Sequence, residues 1–391
     1  MNPDVDGLSA WLSERDVDGY LLDASGSDPD QRYLTAFGSP DPFVSLVVDG
    51  EIHLLVRGLD RALAKQVSTA DSVVGPEAFD GSQLYEEFGR TEGEHQILLR
   101  FLESHEVSSV SVPPRFPVAR ADALRQHGIE MVSDHEGIIA TLREIKGEQE
   151  IDAIGRTQQA TEVAMRRAET CLAEAEIIDD ELYLDGTPLT SERLKQEIGV
   201  ALIRNDCRDE DTIASCGTDA ADPHHRGAGP LKPDAPIVID IFPRHTETHF
   251  HADMTRTFCV GSPPEPLAEW YELTCAAQDA AFELIEPGVT GEAIHDAVCD
   301  VYEAADIPTG RSDPGSETGF VHGTGHGVGL SVHEGPRVSS GGRELQPGHV
   351  ITIEPGVYDP SVGGIRIEDL VVVTEDGFEN LTDYPREFRI V

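Results

Sequence analysis

From residue 4 to about residue 140, helix-like stretches alternate with short apolar runs, GYLLD, FVSLVVDG, IHLLVRG and VSSVSV. Apolar runs of this length, bounded by polar turns, read as strands, and their alternation with helical segments predicts a small α/β unit. Near LREIKGEQEIDAIGRTQQATEVAMRRAET the period lengthens, with Ile151, Ile154, Val163 and Met165 at roughly helical spacing. A long amphipathic helix is expected there, with the unit boundary at about residue 145, dividing the chain into 1–144 and 145–391. A second helix should follow the acidic IIDDELYLDGTPLTSE, capped by Thr190 or Ser191. Strands in APIVIDIF and HFHADMTRTFCVG come next, then helices from Glu265 to Ile285 and from Thr290 to Ala305, then strands in GHVITIEPGVY and GGIRIEDLVVVTEDG. Helix pairs followed by mostly antiparallel strands make this second unit α+β, with a hint of two equivalent halves.

Length agrees with this division, since 391 residues suffice for two or three domains with cores of their own. Charge changes the picture more. There are 29 basic and 73 acidic residues, a formal net charge of −44, and lysine occurs only at 65, 146, 195 and 232. The acidic residues are spread along the whole chain, which implies a solvated surface and not an interaction tail. Such a chain repels itself in dilute buffer and needs concentrated counter-ions to stay compact, the composition of a protein from a salt-loving, archaeal cytoplasm. Nucleic acid is excluded as a partner for want of a basic footprint. The six cysteines, at 171, 207, 216, 259, 275 and 299, form no C-x-x-C pair and read as reduced thiols. The start MNPDVDGLSAWLSERD has no apolar signal region, and no apolar run approaches the ~18 residues of a membrane span, so a soluble cytoplasmic protein is expected.

One stretch calls for chemistry. HGTGHGVGLSVHEGP, from His322 to Pro336, holds His322, His326 and His333 among glycines at 323, 325, 327, 329 and 335. A helix is excluded, because each glycine costs about 1 kcal/mol against alanine in a helix interior. Leu330, Val332 and His333 read as a short strand, with the glycines letting the backbone approach a ligand closely.

Four carboxylates interrupt apolar strand sequence elsewhere: Asp240 in PIVID, Asp253 in HADMTRTF, Glu354 in VITIEPG and Glu368 in GIRIEDLVVV. Any one of them, alone, is as readily a solvent-facing residue. Four together with His326 are the donor set that two adjacent divalent metals require, with oxygens to bridge the pair and an imidazole to complete an open sphere. Two such ions activate water and polarise a carbonyl, so the implied reaction is metal-assisted hydrolysis.

HADMTRTF, HGTGHGVGLSVHE, TIEPGVY and GIRIEDLVVV, in this order, resemble the pita-bread metallopeptidases, and within them the Xaa-Pro peptidases, aminopeptidase P and prolidase. The resemblance covers roughly 145–391. It implies a pita-bread catalytic domain with a curved, mostly antiparallel sheet behind a smaller creatinase-type α/β domain. It implies metal ligation by Asp240, Asp253, His326, Glu354 and Glu368, with Asp253 and Glu368 bridging two ions, manganese or cobalt first and zinc or iron as alternatives. It further implies that His333 acts on the substrate, that His322 is a substrate-side or supporting histidine, and that His224, or its neighbour His225, contacts the scissile carbonyl. Glu354 becomes an acid/base partner, Arg366 lies near the second metal, and a proline-containing peptide is the substrate of a homodimer. Asp240 and Asp253 are thirteen apart, two more than the family pattern, but an insertion of two preserves strand parity, so both can point inward. His249 and His251 on that hairpin are expected at the surface and not as ligands.

The rival enzyme is a methionine aminopeptidase, which would share the five ligands but not the N-terminal domain or the SVHE and EDL contexts. Creatinase-like chemistry is disfavoured, since those proteins dispense with the ligands. A non-catalytic peptide-binding module would be expected to have lost some of them. The charge generates a first prediction: the thermal unfolding midpoint rises steeply between dilute buffer and molar potassium chloride, and activity rises with it. An unchanged midpoint together with full activity in dilute buffer would contradict the salt dependence.

Overall fold

The structure is a computed structural model and describes residues 3–390. Its contacts divide the chain after Arg143. The first unit is built on a six-stranded sheet in the order Ser72–Val74, Glu51–Leu55, Phe43–Val48, Gly19–Ala24, Ser109–Val112, Glu130–Ser133. Phe43–Val48 pairs antiparallel with Glu51–Leu55 and with Gly19–Ala24, and the other three pairings are parallel. The four apolar runs evident in the sequence are the four inner strands. Both edge strands, three and four residues long, are only partly buried and offer too little apolar sequence to be read.

The second unit starts at Glu144. Its long helix, Glu148–Ala173, begins where the Glu150 carboxylate accepts the Gly147 N–H at 3.0 Å. Its inward face differs from the expected one. Ile154 and Met165 are fully buried, whereas Val163 is 44% exposed and Ile151 half-buried. The buried stripe runs instead through Thr157, Gln158 and Thr161. Their donors are all engaged: Thr157 and Thr161 donate to the carbonyls four residues back at 3.0 and 2.9 Å, and Gln158 Nε2 donates to Thr382 Oγ1 at 2.9 Å, although Gln158 Oε1 is buried with no partner among the described residues. The next helix, Ser191–Arg204, is capped by Thr190, which accepts the Arg193 N–H at 3.2 Å. Helices Glu265–Phe282 and Gly291–Ala304 form a second packed pair, the latter capped by Thr290.

Each helix pair covers a sheet. Met165, Ile198 and Leu202 pack with Ile237, Ile239, Met254 and Phe258, from a sheet in the order Ile213–Cys216, Ile237–Ile241, Met254–Val260, Arg389–Ile390. Ile294, Val298 and Tyr302 pack with Ile351, Ile353 and Val371, from a sheet in the order Glu334–Val338, Gly325–Gly327, Val350–Ile353, Asp369–Thr374, Gly377–Asn380. All these pairings are antiparallel except that of Met254–Val260 with the C-terminal strand. The strand expected over Leu330–His333 is not formed. The ladder runs through Gly325–Gly327 and Glu334–Val338, and residues 328–333 are the loop between them. Close approach decides this. A Cβ on Gly325 would lie 1.9 Å from the Thr352 carbonyl oxygen and one on Gly327 1.9 Å from that of Gly335.

A long hairpin carries both glutamates of the motif. Ile353 pairs with Asp369, and beyond Pro355 the same register resumes with Gly356 opposite Arg366, in the strands Gly356–Asp359 and Gly363–Arg366. Pro355 offers no N–H to the ladder, so the pairing opens where Glu354 and Glu368 face each other. All six cysteines are free, and no helix among the described residues is long and apolar enough to cross a membrane.

The helix face is testable by chemical denaturation. Ile154→Ala is expected to cost about 2 to 5 kcal/mol, whereas Val163→Ala should stay within about 0.5 kcal/mol of the parent.

Candidate metal centre

Strand register brings the acidic residues together. Asp240 sits directly opposite Thr255, and Asp253 lies two residues before Thr255, so all three share one face of the sheet. The thirteen-residue span contains a small extra strand, Arg244–His245, paired with Cys207–Arg208, and parity survives it. Glu354 and Glu368 come from the gap in the long hairpin, and His326 from the strand beside it. Asp240, Asp253, His326, Glu354 and Glu368 line one cavity of about 1010 Å³, whose walls also include His224, His322, His333 and Arg366. His225 is not in that wall. Its Nδ1 accepts the Gly227 N–H at 3.1 Å.

Asp253, His326 and Glu368 each present a ligand atom within 4.8 Å of the other two. His326 Nε2 lies 3.7 Å from Asp253 Oδ2 and 3.4 Å from Glu354 Oε1. Its Nδ1 bonds the Gly327 carbonyl at 3.1 Å, which requires the proton on that nitrogen and leaves Nε2 with a lone pair toward the carboxylates. Glu368 Oε2 accepts from Thr255 Oγ1 at 2.7 Å. Asp240 Oδ2 accepts from Arg366 at 2.7 Å, while Asp240 Oδ1 is buried with no hydrogen-bond partner among the described residues.

Burial, followed by the surrounding carboxylates, pushes the Asp253 and Glu368 carboxyls well above the usual carboxylate range, and burial raises that of Glu354 as well. Burial depresses His326, which keeps the imidazole neutral as a ligand must be. An orphaned buried oxygen, carboxylates driven upward by one another and a neutral imidazole aimed at them are what a cation site requires. The residues fit divalent metal, and hard oxygens with one imidazole suit manganese, cobalt, zinc or iron.

Around this centre the structure adds residues that sequence reasoning passed over. Tyr358 donates to His322 Nε2 at 2.8 Å and accepts from Arg366 at 3.1 Å; burial holds its phenol up at about 12. His322 Nδ1 bonds the Gly323 carbonyl at 2.7 Å, so both of its ring nitrogens are engaged and it serves as wall and support. The fully buried Arg256 donates to the carbonyls of Thr255 and Glu368 at 3.0 and 2.7 Å and to Asp369 at 2.8 Å, binding the two sheets where the ligands emerge. Thr255 was detectable as the residue sharing the parity of Asp253. Tyr358 and Arg256 gave no signal beyond standing in the motifs. His251, expected at the surface, is buried: its backbone N–H donates to the Gly329 carbonyl at 2.8 Å, docking the insertion against the histidine loop. His249 is half-buried beside Arg244.

Residues 152–375 match Metallopeptidase family M24. A probable dipeptidase PepE of Mycobacterium tuberculosis is 35% identical over 256 residues, 65% of this chain, and the chain spans only 62% of the length of that relative. An Xaa-Pro dipeptidase of Pyrococcus furiosus is 29% identical over 390 residues, 99% of both chains. The solved prolidase of Pyrococcus horikoshii superposes with a TM-score of 0.79 at 26% identity, covering 99% of both chains. An Xaa-Pro dipeptidase of Bacillus anthracis, at 22% identity and a TM-score of 0.81 over 99% of both chains, shares the fold. The first unit is thus the α/β domain that precedes a pita-bread catalytic domain in a prolidase-like fold.

In metal-free protein, Glu368→Gln removes one of the mutually repelling carboxylates and is expected to raise the thermal midpoint. Manganese should raise the wild-type midpoint and do so far less in the variant. Calorimetric unfolding with chelator and with manganese checks both.

Proposed function

Because this chain belongs to metallopeptidase family M24, we propose that it hydrolyses the bond between an N-terminal residue and a following proline with two divalent metal ions, and that the free dipeptide is its preferred substrate. The observation that carries this reading is the convergence of Asp240, Asp253, His326, Glu354 and Glu368 on one cavity, with His224 and His333 in the same wall. Likeness over 99% of both chains to an Xaa-Pro dipeptidase and to a solved prolidase supports the proline preference.

Ions held by those five side chains would supply activated water near neutral pH and a Lewis acid for the scissile carbonyl. The protein's own groups would do the rest. Glu354, raised by burial, is suited to hold the proton taken from water and deliver it to the proline nitrogen, a leaving group that departs as an amine only once protonated. His333 and His224 would donate to the oxygen on which negative charge develops. An Xaa-Pro bond has no amide N–H, so the site cannot depend on a bond to that proton and must select the ring by shape; Phe242, Val332 and Ile213 provide apolar wall.

Arg337 supports the dipeptide preference. It lines the cavity, is exposed, and has no carboxylate partner among the described residues of a chain with 73 acidic side chains. A free guanidinium there suits the terminal carboxylate of Xaa-Pro, which a longer peptide would place elsewhere.

Product analysis in molar salt with manganese tests the proposal on Ala-Pro, Ala-Pro-Ala and Met-Ala-Ser. Cleavage of Ala-Pro, abolished by His326→Ala, is expected. Cleavage of Ala-Pro-Ala in preference would make the enzyme an aminopeptidase P, release of methionine alone would overturn the proline assignment, and no cleavage with any metal would favour a binding module. Arg337→Ala should raise KM for Ala-Pro about tenfold or more with kcat little changed, as loss of a ground-state contact does.

A further inference from the structure

Lys146 is one of four lysines in the chain, and its side chain is 1% exposed. Its Nζ donates to Glu334 Oε1 at 2.6 Å and to the Glu144 carbonyl at 3.1 Å, and the Glu334 side chain is itself 4% exposed. A buried ion pair is a poor source of net stability, because removing two charges from water offsets most of their attraction, so its position is the informative fact. Glu334 closes the loop 328–333, pairing with Gly327 across the strands. Its second oxygen, Oε2, accepts the Ser331 N–H at 3.4 Å from inside that loop. Two glycines make room for the assembly: a Cβ on Gly329 would lie 2.2 Å from Glu334 Oε1, and one on Gly335 2.0 Å from Glu144 Oε1. Lys146 is anchored in turn, its backbone N–H donating to the Gly348 carbonyl at 2.9 Å, just before the strand that neighbours His326.

We infer that Lys146 and Glu334 are positioning residues for His333. Residues 328–333 have no ladder of their own, and His333 projects from the end of this loop with its ring 4.3 Å from, and nearly perpendicular to, that of His326. The buried carboxylate holds the loop by its Ser331 amide, and the lysine holds the carboxylate. Lys146 also neutralises Glu334 where it borders a cavity already lined by four other carboxylates. Neither residue is a proposed metal ligand, so their loss should misplace a substrate-side imidazole and leave the centre intact. A misplacement of about 1 Å is enough to cost on the order of 100-fold in rate.

The assignment of a substrate contact to His333 rests on the peptidase reading, and the test separates the two. In full-length, manganese-loaded protein, Lys146→Met and Glu334→Gln should each lower kcat/KM for Ala-Pro by about 10- to 100-fold. Metal stoichiometry and affinity by calorimetry should stay as in the wild type. Lys146→Arg, which keeps the charge, should recover part of the loss. In a His333→Ala background Lys146→Met should cost nothing further, since two residues acting through one group are not additive. An equal loss in both backgrounds, or loss of metal, would overturn the inference. If the wild type cuts none of the peptides, the peptidase reading fails but the positioning claim still faces hydrogen exchange: the Gly329 and Ser331 amides should exchange faster in Lys146→Met and Glu334→Gln, and unchanged exchange would overturn it. Should Lys146→Met alone not fold, the neutral pair Lys146→Met/Glu334→Gln replaces it in each measurement.

Discussion

Four carboxylates crowded into one buried cavity repel one another, and the second unit is arranged around that repulsion. Asp253 and Glu368 feel it as carboxyls pushed well above their usual range by burial and by their neighbours. Burial weakens screening by water, so compensation comes from fixed groups and would come from bound cations. Arg366 takes one oxygen of Asp240, Thr255 donates to Glu368, and the other Asp240 oxygen has no partner among the described residues. An arrangement so incomplete in protein alone is the electrostatic argument for metal.

Backbone devices make the crowding possible. The long hairpin opens at Pro355 without losing register, releasing Glu354 and Glu368 from the ladder at the same level. Gly325 and Gly327 allow the His326 strand to lie closer to its neighbours than any side chain would permit. Arg256 then bonds carbonyls from both sheets, so the residues from Met254–Val260 and from the hairpin are held against each other. The four carboxylates and His326 are therefore placed by strands and by the gap in the hairpin, whereas His224 and His333 come from a turn and a loop.

Cation placement follows from the composition. With 29 basic residues against 73 acidic ones, there are too few cations to pair with most of the acidic side chains. Several of the scarce cations lie inside: Arg256 is fully buried, Arg366 is 3% exposed and Lys146 is 4% exposed. Each faces a particular carboxylate near the site, Asp369, Asp240 and Glu334 respectively. Arg337 is the contrasting case, an exposed cation in the cavity wall with no carboxylate partner among the described residues.

The elements and donor groups were legible because they are local. The helix cap at Thr190, the inner strands of the first unit, and carboxylates interrupting apolar strands all follow from spacing and parity within a few residues. The polar face of the long helix, the burial of His251 and the short edge strands were not legible, since each depends on a neighbour distant in sequence. Thr157 and Gln158 look like surface residues until the Phe250 carbonyl and Thr382 receive their hydrogen bonds. By itself, then, the sequence determined which side chains could hold metal and which strands would carry them, because strand parity and glycine sterics act at short range. Only the tertiary structure decided which nitrogen of His326 faces the carboxylates, that Tyr358 engages His322, and that Lys146 meets Glu334 across 188 residues of chain. Contacts of that kind are chosen by packing and desolvation in the assembled core, on which no local pattern bears.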